Sequence, residues 1–215
     1  MTTTTLLRVI DDSYSLTPVS VGEFASFKAN GMKFTTQAYK IEGIGHISIM
    51  RAKGFFGLMK MDTLIIVPTE RDLPLYSYDR IQAMGNDTLI VELYDTLTQP
   101  LDLSLLGHIK SKFRHLEENA LGEHWYDSIR LPESISKKGK KAQTDDLDAL
   151  AAEHFGAYWN APAKKFTDVA KKKELNRAYV DGLLEQGGPP TKLFQKTLGE
   201  EKTARLFREV LFGTT

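Results

Sequence analysis

The spacing of apolar residues changes near residue 100, and that change limits the chain to folds in which a sheet is built first and helices are laid on it afterwards. From about residue 33 to 95, apolar and polar residues exchange every few positions, with turn residues between the runs, as in successive strands. Residues 33–41 alternate, Gly43 and Gly45 punctuate, 46–50 alternate again, and 52–57 read as a glycine-bearing hairpin. Residues 58–67 form an apolar central strand. Pro68 to Pro74 read as a loop, because proline removes a ladder donor. The stretch 75–83 is a tyrosine-rich strand, 85–87 a turn, and 88–96 the closing strand. Connections this short favour antiparallel pairing, since a parallel crossover needs a dozen or more residues.

Beyond residue 100 the period becomes that of a helix. Leu105, Leu106, Ile109, Phe113 and Leu116 share one side of a helix over 104–118. Leu147, Leu150, Ala151, Phe155 and Tyr158 repeat the pattern, with Thr144 read as the capping residue ahead of Asp145 and Asp146. Further helices are expected over 165–186, 191–198 and 200–212, the first two separated by Gly187-Gly188-Pro189-Pro190. Residues 134–144, SISKKGKKAQT, read as a basic, flexible loop. The expectation is an α+β fold in one domain over 1–215, with its sheet at about 33–96 and its C-terminal helices at about 104–212. A chain of 215 residues forms such a core without staples.

Composition narrows the chemistry. With no cysteine, the chain has no disulfide, no thiolate-held zinc and no iron–sulfur cluster of its own, so redox chemistry must use a bound or borrowed electron carrier. Lys+Arg and Asp+Glu are both 28, which gives no overall field for nucleic acid. No apolar run is long enough to span a membrane and no export signal opens the chain, so a cytoplasmic protein is expected. His108, His115 and His124 are spaced too irregularly for one metal face and read as surface residues, so no metal site is expected. Gly199-Glu-Glu-Lys-Thr203 lacks the first glycine of a phosphate loop, and neither a serine elbow nor a zincin motif occurs.

Two carboxylates stand inside apolar strands. Asp62 follows Met61 and precedes Thr63-Leu-Ile-Ile-Val67, and Asp79 follows Tyr78 close to Ile81. Aspartate is disfavoured in strand interiors and costs free energy when desolvated. Either each is solvated and paired, Asp79 with Arg80 and Asp62 with Lys60, or each is a carboxyl whose pKa is raised so that it holds a proton near neutral pH. Residue types alone leave both readings open.

The segment Ile66-Val-Pro-Thr-Glu-Arg-Asp-Leu-Pro-Leu-Tyr-Ser-Tyr-Asp79 resembles the signature of the ferredoxin-dependent bilin reductases, and residues 192–212, ending in Val-Leu-Phe, resemble that family's terminal helix pair. The resemblance covers roughly 30–100 and 145–212. It implies an antiparallel sheet between helical layers (an α/β/α sandwich) and an open-chain tetrapyrrole held between the sheet and the C-terminal helices. It further implies no bound cofactor, electrons arriving singly from an external ferredoxin, and protons supplied by side chains. Asp79 matches the central catalytic aspartate and His46 a histidine on a preceding strand. Thr63 stands where members often carry a histidine, with Asp62 adjacent, and Ser48 where better-known members carry a glutamate. Ser48, Met50 and Ser77 are the expected ligand-facing residues. A ferredoxin, being acidic, is expected to meet Lys137, Lys138, Lys140 and Lys141, with Lys164, Lys165 and Lys171–Lys173 nearby. The alternative is a non-catalytic binder of a tetrapyrrole or other large planar ligand on the same fold.

Overall fold

A computed structural model describes residues 2–11, 14–164, 168–188 and 190–215. Its centre is a meander of five long strands, β3 (Met32–Ile41), β4 (Gly45–Gly54), β5 (Met59–Pro68), β6 (Leu75–Ala83) and β7 (Asn86–Tyr94), each antiparallel to the next. The turns are tighter than the sequence suggested. β4 runs on to Gly54, and the β6–β7 turn is Met84-Gly85, both in the left-handed region at φ 49° and 78°, so that β7 opens at Asn86.

Four shorter strands extend the sheet beyond the expected limits. β1 (Leu16–Val19) and β2 (Ser26–Ala29) lie end to end along the free edge of β3. β2 enters β3 through Asn30-Gly31, again with positive φ at both residues, a two-residue hairpin signal. On the other edge β9 (Ile135–Lys140) pairs with β7, and β8 (Glu117–Glu118) pairs with β9. The sheet therefore has nine strands, ordered β1-β3-β4-β5-β6-β7-β9-β8 with β2 beside β3.

β9 corrects the reading of 134–144 as a flexible loop. Ile135 and Lys137 point inward on alternate positions, and Lys137 is only 1% exposed. Its stem is buried while its ammonium donates to Leu116 O at 3.1 Å and pairs with Glu118. Lys138 pairs with Glu117 at 2.9 Å and Lys140 bonds Asn86. The expected basic docking face is therefore mostly sheet, with three of its four lysines already engaged.

Helices cover both faces. One face meets α1 (Thr3–Asp11), α2 (Ser104–Lys112) and α3 (Thr144–Trp159), where Ile47, Leu64, Ile66 and Tyr78 belong to one core with Leu106, Leu150 and Phe155. The other meets α4 (Val169–Gln186), α5 (Thr191–Leu198) and α6 (Glu200–Arg205), which continues into a π-helical turn at Leu206–Leu211. There Phe34, Ile65 and Leu75 join a second core with Val180, Phe194 and Leu206. Burial on both faces explains why Leu64–Val67 reads as an unbroken apolar run, each side chain contributing roughly 1.5–3 kcal/mol. The fold is the expected α+β sandwich.

Several local readings change. The helix expected over 104–118 stops at Lys112, because Glu117 enters β8. Thr144 lies inside α3 and donates to Asp87 Oδ2 at 2.9 Å instead of capping it. α4 starts at Val169, where the Asp168 side chain accepts from Lys171 N at 2.9 Å. Lys165 and Pro189, both named above, lie outside the described residues. Lys172, expected on a surface face, is fully buried: it donates to Asp72 Oδ1 at 3.2 Å, Leu73 O at 2.6 Å and Thr96 O at 2.7 Å. It pins α4 to the loops after β5 and β7.

Candidate functional site

The period of two on β5, β6 and β7 brings Thr63, Asp79 and Ile90 into one cross-strand row and Ile65, Ser77 and Glu92 into the next. Both rows face the C-terminal helices. Between them and Tyr126, Tyr179, Phe194 and Phe212 lies a cavity of about 270 Å³, also lined by Met50, Thr63, Ser77, Asp79 and Glu92. Four of the seven residues expected at the site thus share one cavity wall.

The other three do not reach it. Asp62 sits one residue out of register with Thr63; the β5–β6 ladder runs without a bulge from Met59 to Ile66, so its side chain leaves by the opposite face. It pairs there with Arg51 Nε at 3.3 Å, not with Lys60. His46 and Ser48 are on the cavity side but farther along β4, where His46 Nε2 donates to Val210 O at 2.8 Å and Ser48 Oγ donates to Leu211 O at 2.7 Å. They satisfy carbonyls that the terminal helix leaves without partners. Burial lowers the His46 pKa, only partly opposed by the Val210 bond, which keeps the imidazole neutral.

Asp79 is the chemically distinctive group. Thr63 Oγ1 donates to its Oδ1. Burial among apolar neighbours raises its pKa from 3.8 to about 6, the threonine hydrogen bond opposing and the charge of Glu92 adding to the rise. Arg80, one candidate partner, projects from the other face and is committed to Asp87 at 2.6 Å. Glu92 is held as an acceptor by Tyr94 OH at 2.8 Å and Arg130 Nη1 at 3.0 Å, and Arg130 also pairs with Asp127 at 3.0 Å. Tyr94 lies against Tyr179 at a centroid distance of 4.2 Å. The His124 ring stacks on Tyr126 at 4.8 Å and lines the cavity, which corrects its reading as a surface residue.

Glu92 escaped the sequence reading although its signal was of the same kind as that of Asp79: a carboxylate between Val91 and Leu93 inside an apolar strand. Arg130 and His124 carried no local signal, because a short helical turn after β8 delivers them. A larger groove of about 620 Å³ between α2 and α3 is lined by Leu105, His108, Lys112 and Glu153. It gathers no comparable set of buried acid and hydroxyl groups. Among the described residues no metal-binding cluster occurs, and no helix is long and apolar enough to cross a membrane.

The raised Asp79 pKa has a thermodynamic signature. The folded state keeps a proton that the unfolded chain releases near pH 4, so stability from this group is fully present below pH 4 and falls as pH rises through about 6. The difference from 3.8 corresponds to up to about 3 kcal/mol. Asp79→Asn is therefore expected to be more stable than the parent at pH 8 by up to about 3 kcal/mol, and to lose that advantage by pH 4. Urea denaturation at the two pH values checks this; an equal difference at both would place the charge in water.

The described residues thus form an antiparallel sheet between two helical layers, with a cavity that holds two carboxylates under the C-terminal helices. No protein-family model and no curated protein matches the chain. Among solved structures it is similar to phytochromobilin synthase from tomato, determined in complex with biliverdin, with a TM-score of 0.76 and 13% identity over 98% of this chain and 81% of that one. At that identity the likeness is one of fold.

Proposed function

We propose that the cavity binds an open-chain tetrapyrrole, or a related conjugated molecule, and that Asp79 donates a proton during its reduction by an external ferredoxin. The observation that carries this reading is a carboxyl poised near pH 6 on the floor of a cavity whose lining is largely apolar and aromatic. Reducing one double bond takes two electrons and two protons. After a first electron from ferredoxin the ligand becomes more basic and neutral Asp79 transfers its proton to it; the carboxylate is reprotonated from solvent, and a second electron from ferredoxin with a second proton by the same route completes the reduction. The likeness in fold to a synthase determined in complex with biliverdin supports this choice of ligand.

The lining also limits the pose. Asp79 and Glu92 are acidic and, among the described residues, neither lysine nor arginine lines the cavity. Pyrrole N–H groups suit these acceptors, whereas propionate groups must point to solvent. About 270 Å³ is slightly below the roughly 300–1,000 Å³ usual for ligand sites, so a ligand of this size needs part of the lining to move outward.

The second reading, a binder without catalysis, draws support from Ser48, which holds a helix terminus and supplies no acid. Titration with biliverdin followed by absorbance, then addition of reduced ferredoxin without oxygen, separates the two. Reduction of the bound pigment is expected. Binding without any reduction favours the binder, and no binding removes both.

A further inference from the structure

Four lysines stand directly opposite one another across four adjacent strands. Lys28 on β2 is the cross-strand partner of Lys33 on β3, Lys33 of Lys53 on β4, and Lys53 of Lys60 on β5. At about 4.8 Å per strand, the file spans roughly 14 Å. All four side chains are exposed, and none makes an ion pair or hydrogen bond among the described residues. Asp62, on the same face two residues beyond Lys60, is engaged by Arg51. Like charges placed directly opposite each other destabilise a sheet, so the file is a cost to the fold that an anionic partner would offset.

Two further features say what kind of partner fits. Beside the file, the hairpin ends expose Phe56 (109%), Leu58 (68%) and Met84 (86%), an apolar area suited to direct protein contact. Lys33 lies between Met32 and Phe34, and Lys60 beside Met61; these three apolar residues line the cavity from the other face of the same strands. A molecule seated on the lysines is thus separated from the cavity by the thickness of one sheet. That proximity serves an electron carrier and has no use for a lipid surface.

We propose that the Lys28, Lys33, Lys53 and Lys60 file, with Phe56, Leu58 and Met84 beside it, is the docking surface for an acidic one-electron carrier protein; this rests on the reductase reading of the cavity. It replaces the 137–141 segment, whose Lys137, Lys138 and Lys140 are already engaged. Association is driven by charge at long range and by the apolar tips on contact, so it weakens as salt rises.

The test is binding of an acidic plant-type ferredoxin to the full chain, compared with a variant carrying Lys28→Gln, Lys33→Gln, Lys53→Gln and Lys60→Gln. Amide NMR shifts locate the contact and titrations at low and high salt give its strength. At low salt the variant is expected to bind tenfold or more weakly, shifts in the parent fall on β2–β5 and the two hairpin ends, and the variant melts no lower than the parent because repulsion is relieved. Equal affinity, no measurable binding by the parent, or shifts confined to another face would overturn the proposal. Binding to phosphatidylserine vesicles in place of ferredoxin would overturn it in favour of a lipid surface. Reduction of bound biliverdin by dithionite, run in parallel, reads the cavity alone; failure there counts against the reductase reading and leaves the docking result standing.

Discussion

Lys172→Met is expected to lower the free energy of unfolding by about 3–5 kcal/mol, among the largest effects of any single replacement in the chain. The ammonium is fully buried beside Asp72, itself 1% exposed. Methionine keeps the aliphatic stem but removes the donor to Asp72, Leu73 O and Thr96 O together. Asp72 keeps Thr98 Oγ1 at 2.8 Å and the Thr98 and Gln99 amides, so it stays hydrogen-bonded but loses its counter-charge. Burial lowers the Lys172 pKa from 10.5 to about 8 against the pull of Asp72, so carrying the charge is itself a cost to the folded state. That cost is fully present below pH 8 and is relieved as pH rises from there toward 10.5, where the unfolded chain binds more protons. The pair is thus a pin for geometry more than a source of stability. Asp72→Asn combined with Lys172→Met is expected to recover part of the loss, which the midpoint of urea denaturation would show; a midpoint unchanged in the single variant would mean the site is wet. Because α4 also carries Tyr179 and Leu183 to the cavity, the same pin places the roof of the proposed binding site.

The five central strands were legible because period-two alternation and turn residues are local signals, and five of the helices because their apolar stripes are local too. What escaped depended on contacts between distant segments or on composition that mimics something else. β9 contains Lys137, Lys138 and Lys140, which read as solvated until Leu116 and Glu118 are seen to bury the first of them. β2 was missed for a different reason: Asn30-Gly31, the hairpin signal that joins it to β3, is present in the sequence and was passed over. The α1 helix also went unread: Thr3–Asp11 is short and opens with threonines. In the site, Asp79 and Glu92 obey the same rule, that a carboxylate inside an apolar strand needs a reason. His46 and Ser48 could not be assigned from sequence, since their partners are 164 and 163 residues away. Asp62 was decided by register alone: one residue separates it from Thr63, and in a ladder without a bulge that residue sends its side chain to the other face.

The second large effect concerns Asp79, on which the reading of the cavity as a reductase site turns. Asparagine matches aspartic acid in size and still accepts from Thr63, but it has no acidic proton to give. Ligand affinity is expected to survive, since the apolar wall is untouched and the amide replaces a neutral carboxyl. Proton transfer in the step after the first electron is lost, which is worth roughly 10²-fold or more. Glu92 does not take over readily, because Tyr94 and Arg130 hold it as an acceptor. The parent's rate is expected to fall as pH rises through about 6, where Asp79 gives up its proton, while the rate of the asparagine variant stays flat. The decisive measurement is single-turnover reduction of bound biliverdin by reduced ferredoxin, followed by absorbance in the parent and in Asp79→Asn at pH 6. The account predicts equal binding with reduction slowed about 10²-fold or more in the variant; reduction by Asp79→Asn at the parent's rate would contradict it.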